Sequence, residues 1–152
     1  MGATRQFCTF YLDGRMFGVE SQQIQEVMRL VEITEVPLAP RAIGGLMNLR
    51  GQIVAAIDLR RRLEFAPRAG ENMPMCVVAR STEGAVSLLV DAIGDVVEVD
   101  EETFEQPPET LEERLRSVIL GVHKLDRELL HVLDAERICV LEDLVANGTP
   151  AN

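Results

Sequence analysis

The sequence predicts a mainly β fold, an all-β barrel or sandwich, and three observations support this prediction. Nine or ten short β-type runs follow one another along the chain, separated by turn-forming residues such as Gly, Pro, Asn and Asp. Only the C-terminal segment is long enough for a helix of about ten residues, so the strand–helix–strand rhythm of a parallel sheet is missing. Apolar residues make up 47% of the chain but aromatic residues only 4%, with no Trp, so the core must be aliphatic.

Two tight hairpins are predicted in the first half of the chain. Asp13-Gly14 stands between two β-type runs, and this two-residue loop favours a type I′ turn. Arg50-Gly51 stands between two further runs and predicts a second hairpin. The predicted strands of this half are residues 7–12, 15–20, 26–34, 46–49 and 52–57.

Two other features of the first half concern the layers of the fold. The strand over residues 26–34 carries apolar residues on both faces, which is expected of a strand between two packed layers. Asp58 directly follows a strand and is placed to cap a short helix over residues 59–63.

The second half is predicted to begin with a loop over residues 65–74, which holds two prolines and a glycine. The run over residues 75–80 is apolar until its last residue, which indicates a strand buried on both sides. Gly94 and Asp95 mark a turn or a bulge. The predicted strands of this half are residues 75–80, 85–92, 96–99, 118–124 and 129–133.

Two helices complete the predicted elements. Thr110 and Glu113 have the spacing of a capping box, which predicts a short helix ending at Arg116. Asp134 is placed to cap a C-terminal helix. The apolar residues that share one face of that helix are Ile138, Leu141 and Val145.

The charge of the chain points to protein partners. Its 152 residues suffice for one domain with a core of its own, and 15 basic against 25 acidic residues give a net charge of -10. Such a chain repels nucleic acid and anionic lipid. We therefore expect no nucleic-acid partner and no direct insertion into a membrane.

The sequence also predicts a cytoplasmic protein. Its first residues lack the basic and apolar regions of a secretory signal, and no apolar run approaches the roughly 18 residues of a membrane span. Cys8, Cys76 and Cys139 are odd in number and lie in apolar surroundings, which favours buried, reduced thiols over a disulfide.

The sequence offers few groups for catalysis or metal binding. It lacks the commonest short motifs for nucleotides and metals. His123 and His131 lie on neighbouring predicted strands and could meet, but a partly exposed structural imidazole is the more frequent role. Cys8 shares a strand face with Phe10 and Leu12, so we expect a core residue and not a nucleophile. We therefore predict no catalytic residue, no cofactor and no metal.

Two charged segments have ordinary explanations. The acidic residues between Glu98 and Glu102 lack the glycine and the spaced oxygen ligands of a calcium loop, so a solvated linker is expected. Arg60, Arg61 and Arg62 point in different directions on a helix, which favours surface pairing with carboxylates over phosphate binding.

Glu26 and Arg50 stand out because each lies in apolar surroundings. Glu26 begins a mostly apolar strand, and Arg50 occupies the tip of a predicted hairpin. If the two meet, the pair would fix a surface groove between layers. The alternative is two unrelated exposed charges.

Three segments of the chain resemble the CheW family of chemotaxis coupling proteins. They are QEV at residues 25–27, GGLMNLRGQIVAAIDLR at residues 44–60 and LLVDAIGDVVEV at residues 88–99. Each is weak alone, but their order and spacing also match the family, and the likeness extends over residues 7–144.

The resemblance implies a particular fold and function. It implies two intertwined five-stranded SH3-like β-barrels around a shared apolar core, with short helices and a C-terminal helix. It also implies a non-enzymatic adaptor that couples the cytoplasmic tip of a chemoreceptor to the regulatory domain of a CheA-type histidine kinase, in the cytoplasm and recruited to receptor arrays. The implied CheW-like domain spans residues 7–145, between an N-terminal tail (1–6) and a C-terminal tail (146–152).

The resemblance also implies a set of partner-binding residues. Arg50 matches the family arginine that pairs with the glutamate at position 26, beside the receptor groove. Asp91 matches a position near the partner surfaces, although a turn-stabilising Asp accounts for it equally well. Ala55 and Ala92 depart from the proline and glycine common in the family. The implied residues are Ile24, Glu26, Val27, Asn48, Leu49, Arg50, Gly51 and Asp91.

Two other functions stay open at this stage. A paralogue of the family could serve a twitching or developmental chemosensory pathway. A small β-barrel enzyme or metabolite-binding module would require His123, His131 and a carboxylate to share one pocket.

Overall fold

The structure, a computed structural model, describes residues 2–30, 32–68 and 73–140. These residues form eleven strands, three short α-helices and two 3₁₀ helices (Ser21–Gln23 and Glu101–Thr103). The strands are β1 (Thr4–Leu12), β2 (Arg15–Glu20), β3 (Ile24–Arg29), β4 (Ile43–Leu49), β5 (Gln52–Asp58), β6 (Met75–Ser81), β7 (Gly84–Val90), β8 (Ala92–Asp100), β9 (Phe104–Glu105), β10 (Ile119–Lys124) and β11 (Leu129–Leu133). The helices are α1 (Leu59–Arg62), α2 (Glu113–Arg116) and α3 (Ala135–Ile138).

The strands form two sheets that divide the chain unequally. One sheet has the order β8-β1-β2-β11-β10-β9 and the other the order β3-β6-β7-β5-β4. The first sheet is built from both ends of the described chain, and the second from its middle. We call the two halves the terminal unit and the central unit. This arrangement confirms the predicted mainly β, intertwined fold, with the two-residue β9 as an addition to five longer strands of the terminal unit.

Alternate side chains along a strand pack into different apolar cores. In β6, Val77 and Ala79 pack into a large core shared by both units, whereas Cys76 and Val78 pack into the interior of the central unit. In the terminal unit, Leu133 joins the shared core, while its neighbour Val132 joins a third, smaller core. The period-two alternation of strand side chains therefore produces one shared apolar core and two unit interiors.

The central sheet closes on itself between its two edges. After β3 the chain crosses to β4, where Thr34 and Leu46 exchange two backbone hydrogen bonds of 2.8 Å. Gly45 permits this approach, because a Cβ atom there would lie 2.5 Å from the carbonyl oxygen of Thr34. The closure turns a five-stranded sheet into a barrel-like unit.

Both predicted hairpins and two of the predicted caps are confirmed. Asp13 and Gly14 have φ values of 52° and 79°, and Arg50 and Gly51 have φ values of 51° and 88°, as a type I′ turn requires at both central positions. Asp58 accepts a hydrogen bond of 3.0 Å from the backbone N–H of Arg60 at the start of α1. The side chain of Asp134 caps α3 in the same way, with a bond of 2.9 Å from the N–H of Glu136.

The predicted long strand over residues 26–34 is wrong in its length. β3 ends at Arg29, because the chain then leaves β6 to reach β4. One face of β3 is exposed to solvent, so the strand is not enclosed between two layers. The first strand, in contrast, begins at Thr4, earlier than predicted.

The predicted capping box at Thr110 does not form. A turn closed by the hydrogen bond from Leu111 N to Pro108 O contains Thr110, and α2 begins only at Glu113 without a side-chain cap. α3 ends at Ile138, so the predicted C-terminal helix of about ten residues is wrong in its length, although Ile138 itself is buried. Leu141 and Val145, the other residues assigned to this helix face, lie outside the described residues.

Two cysteines are less buried than predicted. Cys76 is fully buried, but Cys8 and Cys139 are only half-buried, and all three are free thiols. Cys8 is therefore not a core residue, and the prediction is wrong for it. Its Sγ atom lies 3.7 Å from the hydroxyl of Ser21.

Candidate partner-binding site

The hairpin between β4 and β5 presents Arg50 at the surface of the central unit. The side-chain oxygen of Asn48 accepts a hydrogen bond of 2.8 Å from the backbone N–H of Gly51, which holds the turn closed. Leu49 is only 5% exposed and packs into the interior of the central unit. The turn is therefore held by the packing of Leu49 and by the hydrogen bond to Asn48. The side chain of Arg50 is 73% exposed.

Arg50 binds Glu26 through both oxygens of the carboxylate. Arg50 Nη2 donates a hydrogen bond of 3.0 Å to Glu26 Oε1, and Arg50 Nη1 donates a second, shorter bond to Glu26 Oε2. These hydrogen bonds, and then the charge of Glu26, raise the pKa of the Arg50 guanidinium. Such a bidentate pair fixes both side chains in one geometry.

The pair joins opposite edges of the central sheet. Glu26 lies on β3 and Arg50 follows β4, and three strands separate these two in the sheet order. In a flat sheet the two edges would lie roughly 19 Å apart, since neighbouring strands are about 4.8 Å apart. The ion pair therefore forms because the sheet curls, and it spans the same edges as the Thr34–Leu46 bridge.

A bulge in β3 sets which residues accompany Glu26. Ile24 pairs with Ala79 and Glu26 with Val78, so Gln25 is the extra residue between them. Paired residues share a face of the sheet, and therefore Glu26 points to the side of the central interior.

The same bulge places Ile24 and Val27 on the opposite face from Glu26. Val27 pairs with Val77, and both Val77 and Ala79 belong to the shared core. Ile24 packs against that core, whereas Val27 remains 39% exposed. Val27 is thus an exposed apolar side chain on the face of β3 opposite to the one that carries Glu26.

Asp91 binds two arginines and the first hairpin. Arg60 contributes bonds of 2.8 Å and 2.7 Å to its two oxygens, and Arg68 contributes bonds of 3.3 Å and 3.1 Å to Oδ1. The backbone N–H of Asp13 donates a further bond of 2.9 Å. Burial acts to raise the pKa of Asp91, but the hydrogen bonds from Arg60 and Asp13 and the charges of the two arginines lower it overall.

The geometry of Asp91 favours the structural explanation that the sequence left open. The residue ties α1 and the β1–β2 hairpin to the junction between β7 and β8, and its side chain is only 21% exposed. Arg60 and Arg61 pair with carboxylates as predicted, yet Arg60 is 13% exposed and not a surface residue. The sequence did not identify Arg60 and Arg68 as partners of Asp91, because the three residues are brought together only by the fold.

The two histidines do not share a pocket. His131 pairs with Val122, and His123 pairs with Leu130, so the two rings lie on opposite faces of the sheet. Burial lowers the pKa of both imidazoles. No group of three or more metal-ligating side chains occurs within the described residues. The alternative of an enzyme built on both histidines is therefore wrong.

The fold and this site define a class of protein: a small two-unit β protein with a bidentate ion pair fixed at the surface of its central unit. A family model described as a CheW-like domain matches residues 6–142. The chain belongs to this family. The identification made from the sequence motifs is thus confirmed.

Two relatives and one solved structure are similar to most of the chain. The chain is 27% identical to the probable chemotaxis protein CheW of Rhizobium etli, over 88% of this chain and 86% of the relative. It is 24% identical to the chemotaxis protein CheW of Treponema pallidum, over 91% and 84% of the two chains. The crystal structure of the scaffolding protein TtCheW from Thermoanaerobacter tengcongensis matches with a TM-score of 0.79 at 26% identity, over 91% of this chain and 92% of that one. These likenesses confirm the prediction of a chemotaxis adaptor.

Proposed function

We propose that this chain couples chemoreceptors to a CheA-type histidine kinase without catalysing a reaction. Membership of the CheW-like family supports this function. The observation that carries it at the residue level is the bidentate pair between Arg50 and Glu26, which fixes an exposed arginine against β3. An adaptor needs such a preorganised surface and does not need a catalytic pocket.

The receptor tip binds at the surface that β3 and the β4–β5 hairpin form. Val27 supplies exposed apolar area for a helical hairpin, and Ile24 on the same face packs against the shared core. Glu26 lies on the opposite face of the same strand, and its ion pair with Arg50 supplies the polar contacts of this surface. Asn48, Leu49 and Gly51 act by holding the turn that presents Arg50, and Leu49 does so from a buried position.

The kinase binds at a different surface through its regulatory domain, which resembles this chain in fold. Two similar barrels can associate through exposed strand edges and sheet ends. Asp91 contributes by holding the two units together, since it bonds Arg60, Arg68 and the Asp13 backbone. Separate surfaces allow one molecule to hold both partners at once.

We also infer that the protein works in the cytoplasm, recruited to receptor arrays by its partners. The described residues contain no helix long and apolar enough to cross a membrane. In an array, many contacts of modest affinity act together, and multivalency then supplies the overall strength.

Amide NMR titrations test this function. The isotope-labelled chain is titrated with a receptor-tip fragment and, separately, with the kinase regulatory domain, and both titrations are repeated with Arg50→Ala. We expect the receptor to shift amides around Val27 and Arg50, and the kinase to shift a separate set. Arg50→Ala should weaken the receptor titration alone.

A control variant makes this test specific. Arg127→Ala removes an exposed charge from the hairpin between β10 and β11, and it should leave both titrations unchanged. Absence of binding to both partners would contradict the adaptor function.

A further inference from the structure

The terminal unit contains a cavity of about 400 Å³ that lies outside the surface of Glu26 and Arg50. Phe7, His123 and Val132 form its floor and are 2%, 1% and 4% exposed. Phe104 and Leu120 stand at its mouth and are 41% and 39% exposed. Cavities of this size, mostly apolar with few polar groups, are typical of small-molecule sites.

Gly121 leaves room for the Phe104 ring at the mouth of this cavity. A Cβ atom at Gly121 would lie 2.2 Å from the ring of Phe104 and 2.5 Å from the carbonyl oxygen of Glu105. Gly121 thus lets β9 and the Phe104 ring lie directly on β10. The Phe104 ring also meets the His123 ring edge-on, with 5.4 Å between the ring centroids.

The hydrogen bonds around His123 determine its tautomer. Thr103 Oγ1 lies 2.8 Å from the carbonyl oxygen of Asp100 and 2.8 Å from His123 Nδ1. The hydroxyl has one hydrogen, and a carbonyl oxygen can only accept, so Thr103 donates to Asp100. His123 Nδ1 must therefore carry a hydrogen and donate it to Thr103. In the neutral ring, Nε2 is then an acceptor with a free lone pair.

This lone pair has no partner among the described residues. Nδ1 of His123 is hydrogen-bonded, whereas Nε2 is not. In the described chain, the side-chain atoms that lack both a hydrogen bond and contact with solvent are Ser87 Oγ and Arg114 Nε. His123 Nε2 is not one of them, so this unbonded atom is accessible to solvent. A polar side chain that is 99% buried by area thus presents its one unbonded atom from the lining of an apolar cavity.

The charges at the rim restrict the ligand further. Arg5 pairs with Glu20 at 2.7 Å and also with Glu101, and all three residues border the cavity. An anionic ligand would meet the two carboxylates, and a cationic ligand would meet Arg5, which is already engaged. A neutral ligand avoids both costs.

We propose that this cavity binds a neutral, planar, apolar small molecule that donates one N–H or O–H hydrogen bond to His123 Nε2. Indole and simple phenols have this chemistry. The ring of Phe7 at the floor and the ring of Phe104 at the mouth supply the aromatic contacts, and the imidazole acceptor sets the orientation of the ligand. This inference is independent of the proposed coupling function.

Indole is the probe, and indene, which has the same ring outline without an N–H, is its control. The full chain is titrated with each, and the methyl signals of Leu120 and Val132 are followed by NMR. We expect saturable shifts with both and an affinity about three- to tenfold lower for indene, since one neutral hydrogen bond is lost. A long-range ¹H–¹⁵N spectrum should show His123 Nε2 unprotonated in the free chain and perturbed by indole only.

Two variants localise the site. Leu120→Gln makes the mouth polar and should weaken indole binding several-fold, whereas Ile53→Gln, an exposed apolar residue of the central unit, should not change it. The proposal is overturned if indole causes no saturable shift at Leu120 up to its solubility limit. It is equally overturned if indene binds as tightly as indole, or if His123 carries its hydrogen on Nε2.

Discussion

Arg50 is largely exposed, yet a single carboxylate engages both of its terminal nitrogens. Exposed pairs of this kind add little to stability, because water screens them and ordering two long side chains costs entropy. We therefore interpret the Glu26–Arg50 pair as a device that fixes surface shape. Substitutions at either residue should change partner binding much more than folding.

A double-mutant cycle tests this interpretation. Arg50→Ala and Glu26→Ala should each weaken receptor-tip binding about tenfold, and the double variant should be no weaker than either single variant, because each residue acts through the other. Calorimetric titration of the receptor fragment measures the three affinities. Fully additive losses would show that the two residues act separately.

Asp91 is the opposite case, a charged residue whose role is structural. Asp91→Asn removes a charge that is only 21% exposed and leaves Arg60 and Arg68 without their shared carboxylate. We expect the free energy of unfolding to fall by about 2 to 3 kcal/mol. Urea denaturation measures it, with Glu98→Gln on the exposed part of β8 as the control. A loss no larger than that of the control would contradict the structural role.

At the scale of elements, local turn chemistry was predictable and sheet-dependent features were not. Asp13-Gly14 and Arg50-Gly51 specify their turns through backbone preferences of two residues, so the sequence identified both hairpins. The bulge at Gln25 depends on the pairing of β3 with β6, which no local pattern encodes. It moves Ile24 and Val27 onto one face, and the predicted strand, which began at residue 26, did not include Ile24.

The capping box failed for a similar reason. Thr110 is held in the turn that Pro108 begins, and the side chain of Glu112 binds Arg15 of β2 through bonds of 3.1 Å and 2.9 Å. A long-range ion pair and a proline turn thus outweigh a local four-residue pattern. The resemblance to a family predicted the topology, since composition and periodicity alone leave barrel and sandwich equally open.

A substitution at Gly45 tests the closure of the central barrel. Gly45→Ala places a Cβ atom 2.5 Å from the Thr34 carbonyl oxygen, which is backbone and cannot rotate away. We expect the free energy of unfolding to fall by about 2 kcal/mol or more. The neighbouring Gly44→Ala is the matched control, because its nearest contact is the movable Leu89 side chain at 3.3 Å. Equal effects of the two variants in thermal unfolding would contradict the closure described for β4.

At the scale of the whole molecule, charge is divided unevenly between the two units. Residues 21–90 hold 8 basic and 7 acidic side chains, which gives +1, so the remaining 7 basic and 18 acidic residues of the chain contribute -11 to the total of -10. The acidic remainder includes the terminal unit and the segment after residue 140. Net charge of this size favours solubility and makes folding stability sensitive to acid.

Acid sensitivity is predicted to involve Glu112. The hydrogen bonds from Arg15 lower the pKa of Glu112 from its ordinary 4.5 to about 2. Because the folded-state pKa is lower than the unfolded one, this stabilisation is present above pH 4.5 and is lost as the pH falls towards 2. Glu112→Gln should therefore reduce the pH dependence of the free energy of unfolding, measured by urea denaturation, within that window. High salt should make the difference between Glu112→Gln and the unsubstituted chain smaller. The exposed Glu109→Gln serves as the control, and an identical effect of both variants would contradict the role of the Arg15 pair.

One molecule of this chain should hold a receptor and a kinase at separate surfaces at the same time, and the mass of the complex tests this. The chain is mixed with a receptor-tip fragment and a kinase regulatory domain, and the products are measured by size-exclusion chromatography with light scattering. We predict a ternary complex with one copy of this chain between the two partners. With Arg50→Ala, the receptor fragment should no longer be bound, and only a binary complex with the kinase domain should remain. Mutually exclusive binding of the two partners would contradict the claim.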